Sequence, residues 1–245
     1  MTSPVPTADE PVSGHMARWE RHNSTRQRHI VEAAVELIEE SEPGADIPVQ
    51  RIAKRAGLAK SVVYRQFTDK DDLDRRIRSF LLDQLTEILD AALNISDGTL
   101  EEILVRTIRS VADWATDHAR LHEFMRRGPT DYDDAGIDAI TSLKARISQR
   151  SHEIIFSIAQ LLDADAQPFE HLPFAVVTMV EGTLSHWARD PSPTQDRAQV
   201  VQDLATYAWF VLDGAARSAG LVVDPKVPLV TVIDQLMAAR SGAPL

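Results

Sequence analysis

"VQRIAKRAGLAKSVVYRQF", Val49 to Phe67, decides the fold. It holds five Lys or Arg residues and no acidic one, in a 245-residue chain whose formal net charge is −11. Val49, Ile52, Ala53 and Ala56 recur at helical spacing, Gly57 interrupts, and Val63 and Phe67 then stand four apart. Apolar residues three and four apart share a helix face. The segment therefore predicts two short helices joined by a Gly-containing turn, the helix-turn-helix arrangement. Gly57 permits the positive φ of a sharp turn, Leu58 can plug the angle, and Pro48 suits a first helical position. With Ile52, Ala53, Val63 and Phe67 inward, the outward side shows Gln50, Arg51, Lys54, Lys60, Ser61, Tyr64 and Arg65. Long cations neutralise phosphates, and polar tips can read base edges in a major groove. A helical interaction module whose basic face docks an acidic partner satisfies the same composition.

The charge distribution isolates this patch. Residues 1–80 hold 13 basic and 13 acidic side chains, so the whole −11 lies downstream of them. Only the front of the chain suits a polyanion; the acidic rear would repel it. Cysteine is absent, which excludes disulfides and thiolate chemistry and suits a reducing cytoplasm. No apolar run approaches a membrane span, and no leader-like segment opens the chain.

Upstream of the patch, residues 1–22 read as a polar, Pro-rich, disordered arm in which Arg18 and Arg21 could reach a minor groove. Ser24 and Gln27 have capping-box spacing, followed by a helix with Ile30, Ala34, Leu37 and Ile38 on one face and a stop at "SEPGAD". Downstream, Thr68 or Asp69 caps a long helix bearing Leu73, Ile77, Leu81, Leu85, Ile88 and Leu89. Helical periodicity continues to the end, with no strand-like alternation. The fold class is all-α.

The run "HIVEAAVELIEE…IPVQRIAKRAGLAKSVVYRQFTDKDDL", with its turn Gly and its Tyr64-x-x-Phe67, resembles the N-terminal domain of the tetracycline-repressor (TetR) family of bacterial regulators over about Thr25 to Leu73. The resemblance implies three N-terminal helices, with residues 23–70 binding duplex DNA and residues 71–245 forming a helical effector-binding and dimerisation domain. It implies base-facing roles for Gln50, Lys60, Ser61 and Val62, and phosphate-facing roles for Tyr64, Gln66 and Lys70. Thr25 matches the start of the first helix, which abuts the DNA backbone. Two positions depart from the family pattern. Ala59 stands where a Ser or Thr N-cap is common, and Pro48 where a phosphate-binding Thr or Ser is common.

"FAVVTMVEGTL" and "VVQDLATYAWFVLDGAA" are apolar nearly all round, which requires cover on more than one side. The resemblance implies that these last two long helices pair with a second copy in a homodimer. An effector pocket that is largely apolar would draw on Trp114, His118, Phe124, Phe156, Met179 and Trp187; Met125, Tyr132 and Trp209 belong to the same aromatic and Met set. His118 and His122, four apart, have metal-compatible spacing, but "DHARLHE" lacks the HExxH order and no further ligand is evident. No metal or cofactor is called for. No phosphate loop or nucleophile elbow occurs, so catalysis is not indicated. The expectation is a ligand-responsive repressor released from a palindromic operator.

Overall fold

The computed structural model describes residues 12–42, 44–131 and 137–241, the side chains within 12–23 and 240–241 excepted. Among the described residues every regular element is helical. The helices are α1 (Val12–Glu40), α2 (Val49–Arg55), α3 (Lys60–Gln66), α4 (Lys70–Ala92), α5 (Leu100–Asp117), α6 (Ala119–Met125), α7 (Ala139–Leu161), α8 (Leu172–Arg189), α9 (Arg197–Ser218) and α10 (Leu229–Ser241). The chain divides into two compact units, Met1–Ile77 and Arg78–Leu245, and the division falls inside α4 rather than at its start.

The first unit forms around the apolar stripe of α1. Ile30, Ala34, Leu37 and Ile38 are buried, as are Ile52 and Ala53 of α2, Val63 of α3, Phe67, and Leu73 and Ile77 of α4. One expectation is corrected here. α1 starts at Val12, so Ser24 lies inside the helix and no capping box forms. Met, Ala, Arg and Glu are good helix formers, and "HMARWERHNSTRQ" holds no Gly or Pro to stop the helix. Gln27 instead donates from Nε2 to the Gln66 carbonyl at 3.3 Å, tying α1 to the end of α3. The arm expected over residues 1–22 lies outside the described residues up to Pro11 and is helical from Val12; the side chains of Arg18 and Arg21 are likewise outside them.

Capping marks the joints. Asp69 takes the Asp72 N–H at 2.7 Å to start α4, and Asp71 and Asp72 add negative charge in its first turn. In the second unit, Thr99 and Glu102 form a reciprocal capping box at α5. Asp138 caps α7, and Asp196 caps α9. One core joins Ile108 and Ala112 of α5 to Val180 and Leu184 of α8 and Val201, Leu204 and Ala208 of α9. A second gathers Leu162, Phe169, Leu172, Ala216 and Leu221. Two backbone bonds, Leu229 N–H to Gly98 and Glu101 N–H to Pro225, both 3.1 Å, clip the α10 segment onto the start of α5.

Candidate nucleic-acid interface and apolar cavity

The turn between α2 and α3 is a Schellman ending. The Leu58 N–H reaches the Ala53 carbonyl at 2.8 Å and the Gly57 N–H reaches Lys54 at 3.2 Å. Gly57 sits at φ +65°, with open space around the position of a Cβ. Its glycine is therefore required by backbone conformation rather than by crowding. Pro48 takes the N-cap position of α2 rather than its first helical residue, and neither Pro48 nor Ala59 gives a side-chain cap. His29 Nε2 lies 3.1 Å from the Ala56 carbonyl, fixing the end of α2 against α1.

This frame leaves Gln50, Arg51 and Lys54 of α2 and Lys60, Ser61, Tyr64 and Arg65 of α3 exposed. The Lys60 ammonium stands 5.5 Å from the Tyr64 ring centre, a cation–π contact one turn along α3. Arg51, Lys54, Lys60 and Arg65 form no salt bridge among the described residues. Arg55 differs. It reaches back to Glu36 at 3.0 Å and to Glu40, and its hydrogen bond holds the Glu40 carboxyl below its usual range. Four of the five cations in the opening stretch therefore remain available to an outside anion, and the fifth fastens α2 to α1.

The remaining expected DNA-facing residues have mixed surroundings. Thr25 is exposed on α1 and Val62 is half-buried on α3. Gln66 is half-buried, with its Oε1 enclosed and unpaired. Lys70 is engaged by Asp74 and, at 3.7 Å, by Asp46. To meet a phosphate, Lys70 must exchange these carboxylates for it.

In the second unit a cavity of about 200 Å³ opens among α5, α7, α8, α9 and α10. Its wall is aliphatic: Ile103 and Leu104, Ile154, Ile155 and Ile158, Val176 and Val177, Leu212, Val232 and Ile233 contribute, with Trp209 and Phe169 as the aromatic members. Ser151 is its one polar lining residue. Leu93, just past α4, also lines it.

None of the six residues expected to bind a ligand lines this cavity. Trp114 packs beside His118 and His122, with ring centres at 5.9 and 6.1 Å. Phe124 lies 4.7 Å under the Arg78 guanidinium, whose Nε also donates to the Phe124 carbonyl at 3.2 Å. Phe156 stacks on His152 at 3.9 Å. Met179 and Trp187 pack against the α5–α8–α9 core, and the Trp187 indole N–H donates to Gln195 at 2.9 Å. Burial, then the Arg126 charge, pushes the His122 imidazole below its ordinary value. Among the described residues no group of three or more His, Asp or Glu could hold a metal ion, and no helix is long and apolar enough to cross a membrane. Among the described residues of the aromatic and Met set, Trp209 reaches the cavity, and Tyr132 lies outside the described residues; the aliphatic wall escaped the sequence reading because it has the composition of ordinary core.

The outer faces of α8 and α9 are apolar and uncovered. Phe174, Tyr207 and Phe210 are 56%, 49% and 63% exposed, and Val211 is exposed beside them. Gly182 and Gly214 add open backbone on the same two helices.

Residues 30–77 match the sequence model for bacterial regulatory proteins of the tetR family. An HTH-type transcriptional regulator of Mycobacterium tuberculosis is 23% identical over 223 residues, 90% of this chain and 91% of the relative. Among solved structures, a tetR-family transcriptional regulator from Streptomyces coelicolor superposes with a TM-score of 0.60 at 19% identity, covering 88% of this chain and 89% of that one. A TetR-like transcriptional regulator from Rhodococcus sp. RHA1 follows with a TM-score of 0.53 at 19% identity, covering 77% and 96%.

Proposed function

We propose that the chain is a TetR-like transcriptional regulator rather than an enzyme, a reading supported by the family match over residues 30–77, by the regulator from Mycobacterium tuberculosis and by the shared fold, and that it is a homodimeric repressor released from a palindromic operator by a small apolar effector. The observation that carries the DNA reading is the set of four unpaired cations around α2 and α3, on a frame whose other cation is already used. Gln50, Lys60, Ser61 and Val62 read base edges. Tyr64, Lys70 and Thr25 hold the phosphate backbone, and Gln66 joins them once its enclosed amide turns outward. Arg51, Lys54 and Arg65 add counterion-releasing charge. Two copies pair through the uncovered faces of α8 and α9, which sets their recognition helices about one DNA turn apart, roughly 34–36 Å.

The effector occupies the aliphatic cavity. It acts by binding the DNA-free arrangement more tightly than the DNA-bound one; equal affinity for both would shift nothing. α4 begins four residues after the end of α3 and ends one residue before Leu93 at the cavity wall, which makes it the element for this coupling. Selection of bound fragments from a genomic pool, followed by anisotropy titration, tests the reading. A palindromic site should emerge, with affinity falling steeply as salt rises. Gln50→Ala and Lys60→Ala should each lose about 1–3 kcal/mol at one base position. Salt-independent binding, or no enrichment of any sequence, would overturn the reading.

A further inference from the structure

The wall of the apolar cavity is defined by what it lacks. Among the described residues lining it, Ser151 is the one polar side chain and none carries a charge. The charged neighbours of Ser151 along α7, Arg150 and Glu153, line a separate groove against Leu89 and Asp90 of α4. There Arg150 meets Asp90 and Glu153, each at 3.7 Å. Backbone donors are committed as well. Helical N–H groups bond within their own helices. Where α10 begins, the Leu229 N–H is held by Gly98 and the Val232 N–H by Pro228, both at 3.1 Å. At the start of α8, where a helix leaves N–H groups free, Pro173 has none to offer.

Size narrows the occupant further. At about 200 Å³ the cavity is larger than the roughly 150 Å³ apolar cavity that accepts benzene and smaller than the roughly 300–1,000 Å³ pockets of drug-sized ligands. A hydrocarbon of about eight carbons suits that volume. An oxygen carried into such a wall gives up its water and finds little in exchange. The α7 stripe runs from Ser151 through Ile155 and Ile158 to Leu162, ~16 Å of helix, so Ser151 stands at one end of it. A serine so placed meets a ligand hydroxyl in one orientation only, and it leaves a carboxylate without a counterion.

We infer that the cavity binds an unfunctionalised hydrocarbon of about eight carbons and discriminates against the same skeleton bearing a hydroxyl or a carboxylate. The hydrocarbon lies among the side chains of α5, α7, α8, α9 and α10, and its contacts with Leu229, Val232, Ile233 and Leu236 fasten α10 over it. This rests on the proposal that the cavity is an effector site, and it adds the chemical class of the effector.

The probes share one skeleton: ethylcyclohexane, 2-cyclohexylethanol and cyclohexylacetate, each titrated calorimetrically with the full chain at neutral pH, below its solubility limit. Ethylcyclohexane should bind at least about tenfold more tightly than the alcohol, the effect of one hydroxyl left short of partners, and at least ~100-fold more tightly than the carboxylate. It should also slow amide hydrogen exchange in α10, which places it in the cavity rather than on an outer apolar face. Val177→Phe on α8 and Ile233→Phe on α10 each build a ring into the empty volume. Either should abolish binding with the melting temperature kept or raised, and the second serves if the first fails to fold. No binding of ethylcyclohexane overturns the inference, as does alcohol or carboxylate binding equally tightly, or binding that survives a folded filling variant. Operator affinity measured alongside separates the two readings. Hydrocarbon-selective binding that leaves operator affinity unchanged upholds the ligand class and refutes the effector role; tighter binding of the alcohol together with release of operator does the reverse.

Discussion

Phe210→Glu should convert the protein to monomer and abolish operator binding without unfolding it. Phe210 is 63% exposed in the single chain, on the outer face of α9. An aromatic side chain presents about 200 Å², so on the order of 125 Å² remains to be covered by a partner. At ~25 cal/mol per Å² this is about 3 kcal/mol, met twice in a two-fold interface. Area converts incompletely into affinity because association also costs rigid-body and side-chain freedom. Even a quarter of the total, about 1.5 kcal/mol, raises Kd roughly tenfold. Placing two carboxylates where two rings would meet raises it further, so a loss of at least ~100-fold is expected.

Light scattering coupled to size-exclusion chromatography at micromolar concentration reads the mass, and far-ultraviolet dichroism reads the fold. Val180→Glu is the contrasting change. Val180 lies on α8 but is only 7% exposed, packed with Ile108, Ala112 and Leu204 in the single-chain core. A charge there should unfold the second unit rather than merely separate the subunits. A Phe210→Glu protein that keeps the parent's dimeric mass and operator affinity would show that α9 is not the pairing surface. Monomeric parent protein would refute the dimer altogether.

Lys54→Ala should lower the slope of log K against log salt by about one unit, whereas Arg55→Ala, whose guanidinium is already held by Glu36 and Glu40, should leave that slope unchanged. His122 supplies a pH dependence: burial and Arg126 place its folded pKa below the ordinary 6.5, so the unfolded chain binds the proton more readily. Stability should be complete above pH 6.5 and fall as pH drops from there toward the lower folded value, a loss that His122→Gln should flatten in thermal melts. Arg78→Met should destabilise the second unit by about 2–3 kcal/mol in urea titrations, since the Phe124 and Pro129 carbonyls lose a charged donor at 3.2 and 3.4 Å.

The helix-turn-helix unit was legible in the sequence because its constraints are local. Helices of seven residues each leave little freedom about which residues face inward, and Gly57 fixes the turn between them through its own φ. The start of α1 was misread because a capping-box pattern at Ser24 and Gln27 states only that a helix could begin there. Whether it does depends on what precedes, and the preceding residues sustain helix equally well. The basic character of the stretch was legible too, but not the division of labour within it. Arg55 points toward Glu36 and Glu40 because those lie on another helix, and nothing in the run of residues from Val49 to Phe67 distinguishes it from Lys54.

The second unit was legible as helices, and its cavity was not, for a reason that lies in what a cavity is made of. Ile155, Val176 and Leu212 line empty space, while Ile108, Val180 and Leu204 fill a core, and the two sets are chemically alike. Only the distance between helices separates them, and that distance is set by many side chains jointly. Aromatic residues drew attention because they are conspicuous, yet Trp114, Phe124 and Phe156 each have a local ring or cation partner that accounts for their place.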